Sequence, residues 1–332
     1  MRATIRDVAR QAGVSIATVS RVMRDSETVR PETRDRVLAA AGDLEFVPSH
    51  LGRQLAERRH AANGIVFPDL SGPYYAEVVL GYEAVAAELG RSVLILSTRG
   101  RDDADDAVRA MAERCDGLVV VSGRTVDDDV VARLAARGTS LVLVARPPVD
   151  TVDSVNAEND ASARALTRHL LDLGARRLVF VGDPSTSPDV AERLHGVQEA
   201  LTEADVAADV EIRHVQNLDE QCGAEVVGDY LGRALPDAFV CANDELALGM
   251  LGRLRAAGVD LPSRVRVTGW DDVMAARYAG LTTVRQPMRE LGATAARLLD
   301  ELISGTRTHP RHELLPTQLV VRTSTTLGKE TP

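Results

Sequence analysis

Arg21 and Arg24, with Ala17, Thr18 and Ser20 beside them, are the side chains of this 332-residue sequence whose types and spacing point most directly to chemistry. An arginine fork matches the paired acceptors on a guanine edge, and small neighbours let a helix lie close to base pairs. Ile16 and Ala17 add only apolar contact. The elements that must position these groups are legible around them. Ile5, Val8, Ala9 and Ala12 recur at i, i+3, i+4 and i+7, which is one face of a helix. Gly13 tolerates the positive φ of a break, Ser15 suits the N-cap of a second helix, and Val19 and Val22 continue the apolar stripe on it. A helix-turn-helix needs this division, one face packing on its partner and the other entering the DNA major groove. An ordinary α-hairpin with a polar surface would satisfy the same residues.

Pro31 fits the first turn of a third helix, with Val37, Leu38, Ala41 and Leu44 as its apolar face and Phe46-Val47-Pro48 as its end. Ser49 then caps a short stretch, 50–58, with Leu51 and Leu55 on one side. That stretch is too short to be stable alone, and Gly52 weakens it by about 1 kcal/mol relative to alanine, so it reads as a hinge that folds when held.

The strings Asp7-Val8-Ala9, Ala12-Gly13-Val14-Ser15, Thr18-Val19-Ser20-Arg21-Val22, Thr33-Arg34, Val47-Pro48 and Gln54-Leu55-Ala56 make residues 4–56 resemble the DNA-binding headpiece of the LacI/GalR family of bacterial transcriptional regulators. The resemblance implies that the second helix reads bases in the major groove. It also implies that a hinge helix from each of two subunits enters the minor groove at the centre of a pseudopalindromic operator, with Leu55 wedged into a base step. Thr4, Ser15, Ile16, Ala17, Thr18, Ser20, Arg21, Arg24, Arg53 and Leu55 are the residues it places against double-stranded DNA. Gly52 departs from the family's usual alanine.

The net charge of −10 would argue against nucleic acid if it were uniform. It is not: residues 1–60 carry eleven arginines and eight acidic residues, a balance of +3, and the rest of the chain stands at −13. Only the N-terminal end suits an approach to phosphate. Cys115, Cys222 and Cys241 are scattered and odd in number, which argues against a disulfide framework or a structural zinc and reads as three buried thiols. No signal peptide and no apolar run of about 18 residues is present, so a cytoplasmic location and no membrane partner are expected.

From about residue 62, short β-branched runs alternate with helical stretches. Strands are expected at 64–67, 92–96, 117–121, 140–144, 177–181, 211–215, 238–241, 265–269 and 282–284, and helices at 75–89, 161–173, 188–204 and 246–256 among others. Such alternation means parallel sheets covered by helices, and nine strands divide more naturally into two doubly wound lobes than into one sheet. The strings Val66-Phe67-Pro68-Asp69-Leu70-Ser71, Arg193-Leu194-His195-Gly196, Ala242-Asn243-Asp244-Glu245 and Gly269-Trp270-Asp271-Asp272 are similar to the periplasmic-binding-protein-like effector domain of the same family. The expected fold class is therefore an N-terminal all-α helix-turn-helix headpiece plus an α/β periplasmic-binding-protein-like domain of two doubly wound parallel-sheet lobes. The headpiece is expected at 1–48, a hinge helix and linker at 49–61, the effector-binding and dimerisation domain at 62–325, and a tail at 326–332. Lobe one combines about 62–157 with 288–316, and lobe two 158–287 with 317–325, whose last strand is 318–322.

Clefts at the carboxyl ends of such strands hold small ligands. Carried over position by position, the resemblance gives Tyr74 and Tyr75 as an aromatic wall and Arg193 as a fork that holds two ligand oxygens. Asn243 and Asp271 become polar contacts, and Ser187 and Asp189 lie in the loop before Arg193, where the family varies with ligand. Leu218, before a helix at 219–231, stands where many members carry a stacking ring, so flat purines are disfavoured and a small sugar or polyol remains. The residues by themselves leave other readings open: Tyr75 as core, Asn243 as the N-cap of the helix near 244, Asp271 as a cap for the segment from 272, and Arg193 paired with Glu192 or Asp189. No nucleophile–base pair, Walker lysine or GxGxxG loop accompanies them, so neither an enzyme nor a cofactor is expected. The resemblance implies a repressor, a homodimer or a tetramer, controlled by a small effector. The alternatives are control by a protein partner or, against the pattern, a sugar-processing enzyme.

Overall fold

The computed structural model describes residues 3–23, 26, 28–46, 60–122, 126–185 and 187–327. The chain forms two compact units, Met1–His60 and Ala61–Pro332.

In the first unit, α1 (Ile5–Ala12), α2 (Ile16–Met23) and α3 (Pro31–Asp43) close around Val8, Ala9, Val19, Val22 and Val37. The Thr4 N–H and hydroxyl both donate to the Asp7 carboxylate, at 3.0 and 2.6 Å, which fixes the start of α1. Gly13 takes φ 62°, and the N–H of Val14 reaches back to the Ala9 carbonyl at 3.0 Å, so the helix stops where the glycine allows it. Ser15 Oγ accepts the Thr18 N–H at 3.1 Å and starts α2. Two details of α3 differ from expectation. Leu38 is 49% exposed and Ala40 is buried instead, because the stripe that contains Val37 runs through 40, 41 and 44. The helix also ends before the proline: Glu45 adopts φ 45° and the Phe46 N–H returns to the Ala41 carbonyl at 2.8 Å. The expected hinge at 50–58 lies outside the described residues.

The second unit contains two parallel sheets. The first has strand order β11-β5-β4-β3-β1-β2, from β1 (Ala62–Phe67), β2 (Ser92–Ser97), β3 (Gly117–Val121), β4 (Ser140–Val144), β5 (Asp153–Ala157) and β11 (His312–Leu315). The second has order β7-β6-β8-β9, from β6 (Arg177–Val181), β7 (Asp209–Arg213), β8 (Ala238–Cys241) and β9 (Arg266–Thr268). β10 (Thr283–Arg285) pairs antiparallel with β12 (Gln318–Val320) and adjoins β9 through single bridges at Thr268–Thr282 and Asp271–Arg285.

Helices fill the intervals: α4 (Pro73–Glu88), α5 (Ala104–Ala112), α6 (Asp128–Ala136), α7 (Asp160–Asp172), α8 (Pro188–Glu203), α9 (Glu220–Tyr230), α10 (Asp244–Ala256), α11 (Met274–Ala279) and α12 (Met288–Ser304). β3 and β8 are apolar and buried throughout, as strands covered on both faces must be. β5 and β11 had no apolar pattern to announce them: they read Asp-Ser-Val-Asn-Ala and His-Glu-Leu-Leu. β5 is held by its ladder to β4 and by Arg307 on the buried carboxylate of Asp153. β7 begins two residues earlier than expected, because its register to β6 pairs Arg177 with Asp209.

The chain returns to the first sheet late. Leu291, Ala295, Leu298 and Leu299 of α12 join Ile65, Val119 and Val142 in one core, whereas β12 pairs with β10 and packs Leu319 on the second core. α4 and α12 cross with their backbones in contact. A Cβ on Gly81 would overlap the Arg289 carbonyl, and one on Gly292 the Val78 carbonyl, so only glycine fits either position. Cys115 and Cys241 are buried free thiols, whereas Cys222 is only half-buried.

Candidate functional site

α2 carries the expected DNA-reading face. Ile16 is 45% exposed, Ala17 and Arg21 are exposed, and Thr18 and Ser20 are half-buried. The Arg21 carbonyl accepts the Ser26 N–H at 3.1 Å, while its guanidinium makes no hydrogen bond or ion pair among the described residues, so its side-chain donors are available. Thr4 and Ser15 already serve α1 and α2 as described, and the Thr18 hydroxyl lies 2.9 Å from Ser15 Oγ. Arg24, Arg53 and Leu55 lie outside the described residues.

The second site forms where loops from the carboxyl ends of both sheets meet. Arg193, in the second turn of α8, is 6% exposed. Its Nε donates to Asn159 Oδ1 at 2.8 Å, and one terminal nitrogen donates to the Ala242 carbonyl at 2.6 Å. Its guanidinium lies 4.6 Å from the centre of the Trp270 ring. These partners replace the ion pair with Glu192 or Asp189 that the sequence left open. Asp271 follows β9 with φ 113°, a conformation disfavoured for any side chain but glycine. It does not cap the next helix. Its carboxylate accepts from Gln286 Nε2 at 2.5 Å, and Asp244 instead accepts the Val273 N–H at 2.9 Å, just before α11. Burial pushes the Asp271 carboxyl up to about 8, with Arg193 pulling it down and Asp244 raising it further.

Tyr74 and Tyr75 come from the first turn of α4, on the first sheet, their rings edge to face at 5.3 Å. Tyr75 also meets Phe67 at 5.5 Å and packs on the core, so its core role is real. The Tyr74 hydroxyl is buried with no hydrogen-bond partner among the described residues. Burial raises its pKa most, Asp189 and Asp271 raise it further, and Arg193 lowers it. Asp189 and Arg193 of α8 and Asp271 after β9 all belong with the other sheet, so the fold brings Tyr74, Tyr75, Asp189, Arg193 and Asp271 into one neighbourhood. Trp270 Nε1 is a second buried donor without a partner among the described residues. Buried polar groups are nearly always bonded, so these two atoms offer hydrogen bonds that a bound molecule or water can take up, as do the unpartnered atoms of Asn63, Tyr82 and Tyr230 elsewhere.

Asn243 is occupied. Its Oδ1 caps α10 by accepting the Leu246 N–H at 3.0 Å, and Nδ2 donates to the Leu218 carbonyl at 2.9 Å and to Glu245 at 3.0 Å. The N-cap reading is present in these bonds, and a ligand contact by Asn243 stays a proposal beside it. Leu218 packs half-buried on the second core. Ser187 caps α8 through a long 3.5 Å bond from Val190, and Asp189 lies within the first turn of α8 rather than in the loop. Burial raises the Asp189 carboxyl, against the pull of Arg193 and a 3.3 Å bond from Asn159.

Sequence reasoning passed over Asn159, Trp270, Gln286 and Glu245. The last has its carboxylate against the other half of the unit, where a Cβ on Gly72 would stand 2.6 Å from Glu245 Oε1. Trp270, the sole tryptophan, and Glu245 both lay inside strings already singled out, and that was the available signal. Arg99 also spans the halves, donating to Asp69 at 3.0 Å and to Asn217 at 2.9 Å. Beside Asp189 opens a cavity of about 200 Å³ bounded by Pro147, Pro148, Pro188, Glu192 and Leu314. Among the described residues no three His, Cys, Asp or Glu side chains are grouped to hold a metal, and no helix is long and apolar enough to cross a membrane.

Known proteins place this arrangement in context. The family described as bacterial regulatory proteins, lacI family, matches residues 4–49, and the periplasmic binding protein-like domain matches 167–325. The HTH-type transcriptional regulator RegA of Clostridium saccharobutylicum is 31% identical over 98% of this chain and 100% of its own length. Among solved structures, a lac repressor dimer bound to operator and the anti-inducer ONPF superposes with TM-score 0.84, at 27% identity over 98% of this chain and 99% of that one. The transcriptional regulator CelR in complex with cellobiose gives TM-score 0.72 at 31% identity, over 97% of this chain and 100% of that one.

Proposed function

The chain belongs to the LacI/GalR family of bacterial transcription regulators, and from that membership we propose that it is a dimeric repressor whose hold on an operator is set by a small saccharide in the cleft. The observation that carries the effector half of this reading is the Tyr74 hydroxyl. It is buried and unpartnered among the described residues, within the influence of Asp189, Arg193 and Asp271 from the opposite sheet. A ligand hydroxyl there can accept from the phenol and donate to a carboxylate, touching both halves of the unit at once. A ligand shifts an equilibrium only through unequal affinity for its two states. One that touches both halves favours the arrangement that keeps them together, and the first half follows the hinge segment directly in sequence. DNA binding falls to α2, with Arg21 offering its unshared donors to a guanine edge and Ile16 and Ala17 approaching bases by van der Waals contact. The relative that the chain matches along its whole length, RegA, is named as a transcriptional regulator and not as an enzyme.

The test is thermal unfolding with neutral sugars, followed by operator binding with any sugar that stabilises. A true effector raises Tm with concentration and changes DNA affinity. Stabilisation without any change in DNA affinity would remove the regulatory half of the reading.

A further inference from the structure

We propose that Arg99 and Asn217 form a clasp that holds the two halves of the second unit together from outside the ligand-contact residues, and so sets how readily the halves part. The two residues come from opposite sheets: Arg99 follows β2, and Asn217 lies between β7 and α9. One terminal nitrogen of Arg99 donates to Asp69 at 3.0 Å within its own half, and the other donates to Asn217 Oδ1 at 2.9 Å across the seam. Neither end of that crossing is loose. The Arg99 N–H donates to the Pro68 carbonyl at 2.7 Å, and Asp69 accepts the Ser71 N–H at 2.8 Å together with the Ser71 hydroxyl. The arginine is thereby fixed to the loop 68–72 through its backbone and its head. Asn217 stands two residues before Asp219, which caps α9 by accepting the Cys222 N–H at 2.8 Å.

A second crossing ties the same loop to the same part of the other half. Asn243 donates to the Leu218 carbonyl at 2.9 Å and to Glu245 at 3.0 Å, and the Glu245 carboxylate stands against Gly72. The contacts therefore leave the loop at Asp69, pass through Arg99, Asn217, Leu218, Asn243 and Glu245, and return to it at Gly72. One short loop is gripped near both its ends. Tyr74 follows that loop directly, and Arg193 and Asp271 are only 6% and 4% exposed. On the reading of the cleft as an effector site, a ligand reaches these three when the halves part. Arg99 and Asn217 make no hydrogen bond to any of the three among the described residues, so they act on the site through the closure alone. The Arg99 side chain is 56% exposed, and exposed pairs add little to global stability. A balance between open and closed halves responds to differences that small.

The test is amide hydrogen exchange, read by mass spectrometry on the full-length protein with no sugar added, because exchange rates follow the opening equilibrium even when the open state is rare. Asn217→Ala is expected to speed exchange about threefold or more in segment 69–76 of the opposite half, and Arg99→Ala to do the same in segment 214–222. Both variants should keep a Tm within about 2 °C of wild type, which a general loss of structure would not allow. Asn217→Asp sets a carboxylate opposite the guanidinium and is expected to act in the reverse direction, slowing exchange in 69–76. Effects confined to the half that carries the substitution would overturn the clasp and leave the effector reading standing, and so would Asn217→Asp acting in the same direction as Asn217→Ala. Reciprocal effects across the seam in a protein that binds no sugar would uphold the clasp and remove the effector reading.

Discussion

Arg193→Ala removes the group on which the cleft is assembled, and its cost follows from its contacts. The side chain makes two charge-assisted hydrogen bonds, at 2.8 Å to Asn159 and 2.6 Å to the Ala242 carbonyl, each contributing about 1.5–3 kcal/mol. The guanidinium over Trp270 at 4.6 Å adds about 1–2 kcal/mol in a desolvated setting. These terms are not additive, and breaking a buried charge's partnerships costs about 3–5 kcal/mol in all. At roughly 2 °C per kcal/mol for a unit of this size, Tm is expected to fall by about 6–10 °C. Arg193→Lys keeps the charge beside Asp189 and Asp271 but loses the planar fork, so it should recover part of that loss. Scanning fluorimetry at pH 7 reads both variants. A Tm within about 2 °C of wild type for Arg193→Ala would refute the account of how the cleft is held. Operator binding by the folded fraction should survive while the response to saccharide is lost.

Arg21→Ala is expected to weaken operator binding by about 1–3 kcal/mol and to leave random-sequence DNA nearly unaffected, as anisotropy titrations would show. Equal losses on both DNAs would mean that Arg21 contacts phosphate. Asp271→Asn tests the buried carboxyl. Its raised pKa means that the folded state binds the proton more tightly than the unfolded chain, so its stabilising contribution is full below about pH 4 and is lost as pH rises through about 8. The asparagine has no proton to lose, so the Tm of Asp271→Asn relative to wild type should climb between pH 5 and 8.5, and a constant offset would contradict the burial argument.

What the sequence disclosed depended on whether a residue's environment is encoded locally. β3 and β8 were legible because strands covered on both faces must be continuous apolar runs. β5 and β11 were not, because Asp153, Asn156 and His312 carry no pattern and are strands only by virtue of the ladders beside them. Leu38 misled for a geometric reason: adjacent helix positions stand 100° apart, and Ala40 fits the buried stripe better than the larger leucine does. In the cleft, resemblance selected positions but not partners. Arg193 was singled out from its family string, yet its bonds to Asn159 and Ala242 come from segments 34 and 49 residues away. Asn243 carried two readings in sequence because a capping asparagine and a ligand-binding one look alike, and the bonds to Leu246 and Leu218 establish the cap.

The central claim is that occupancy of the cleft governs affinity for a specific DNA sequence. The direct measurement is to select tight-binding duplexes from a random pool with the full-length protein, then titrate the winner with and without a saccharide that raises Tm. The account expects a pseudopalindromic sequence to emerge and its Kd to change at least tenfold on adding the saccharide, a coupling of about 1.4 kcal/mol. Failure to enrich any sequence, or a saccharide that binds while the Kd for DNA stays the same, would contradict it.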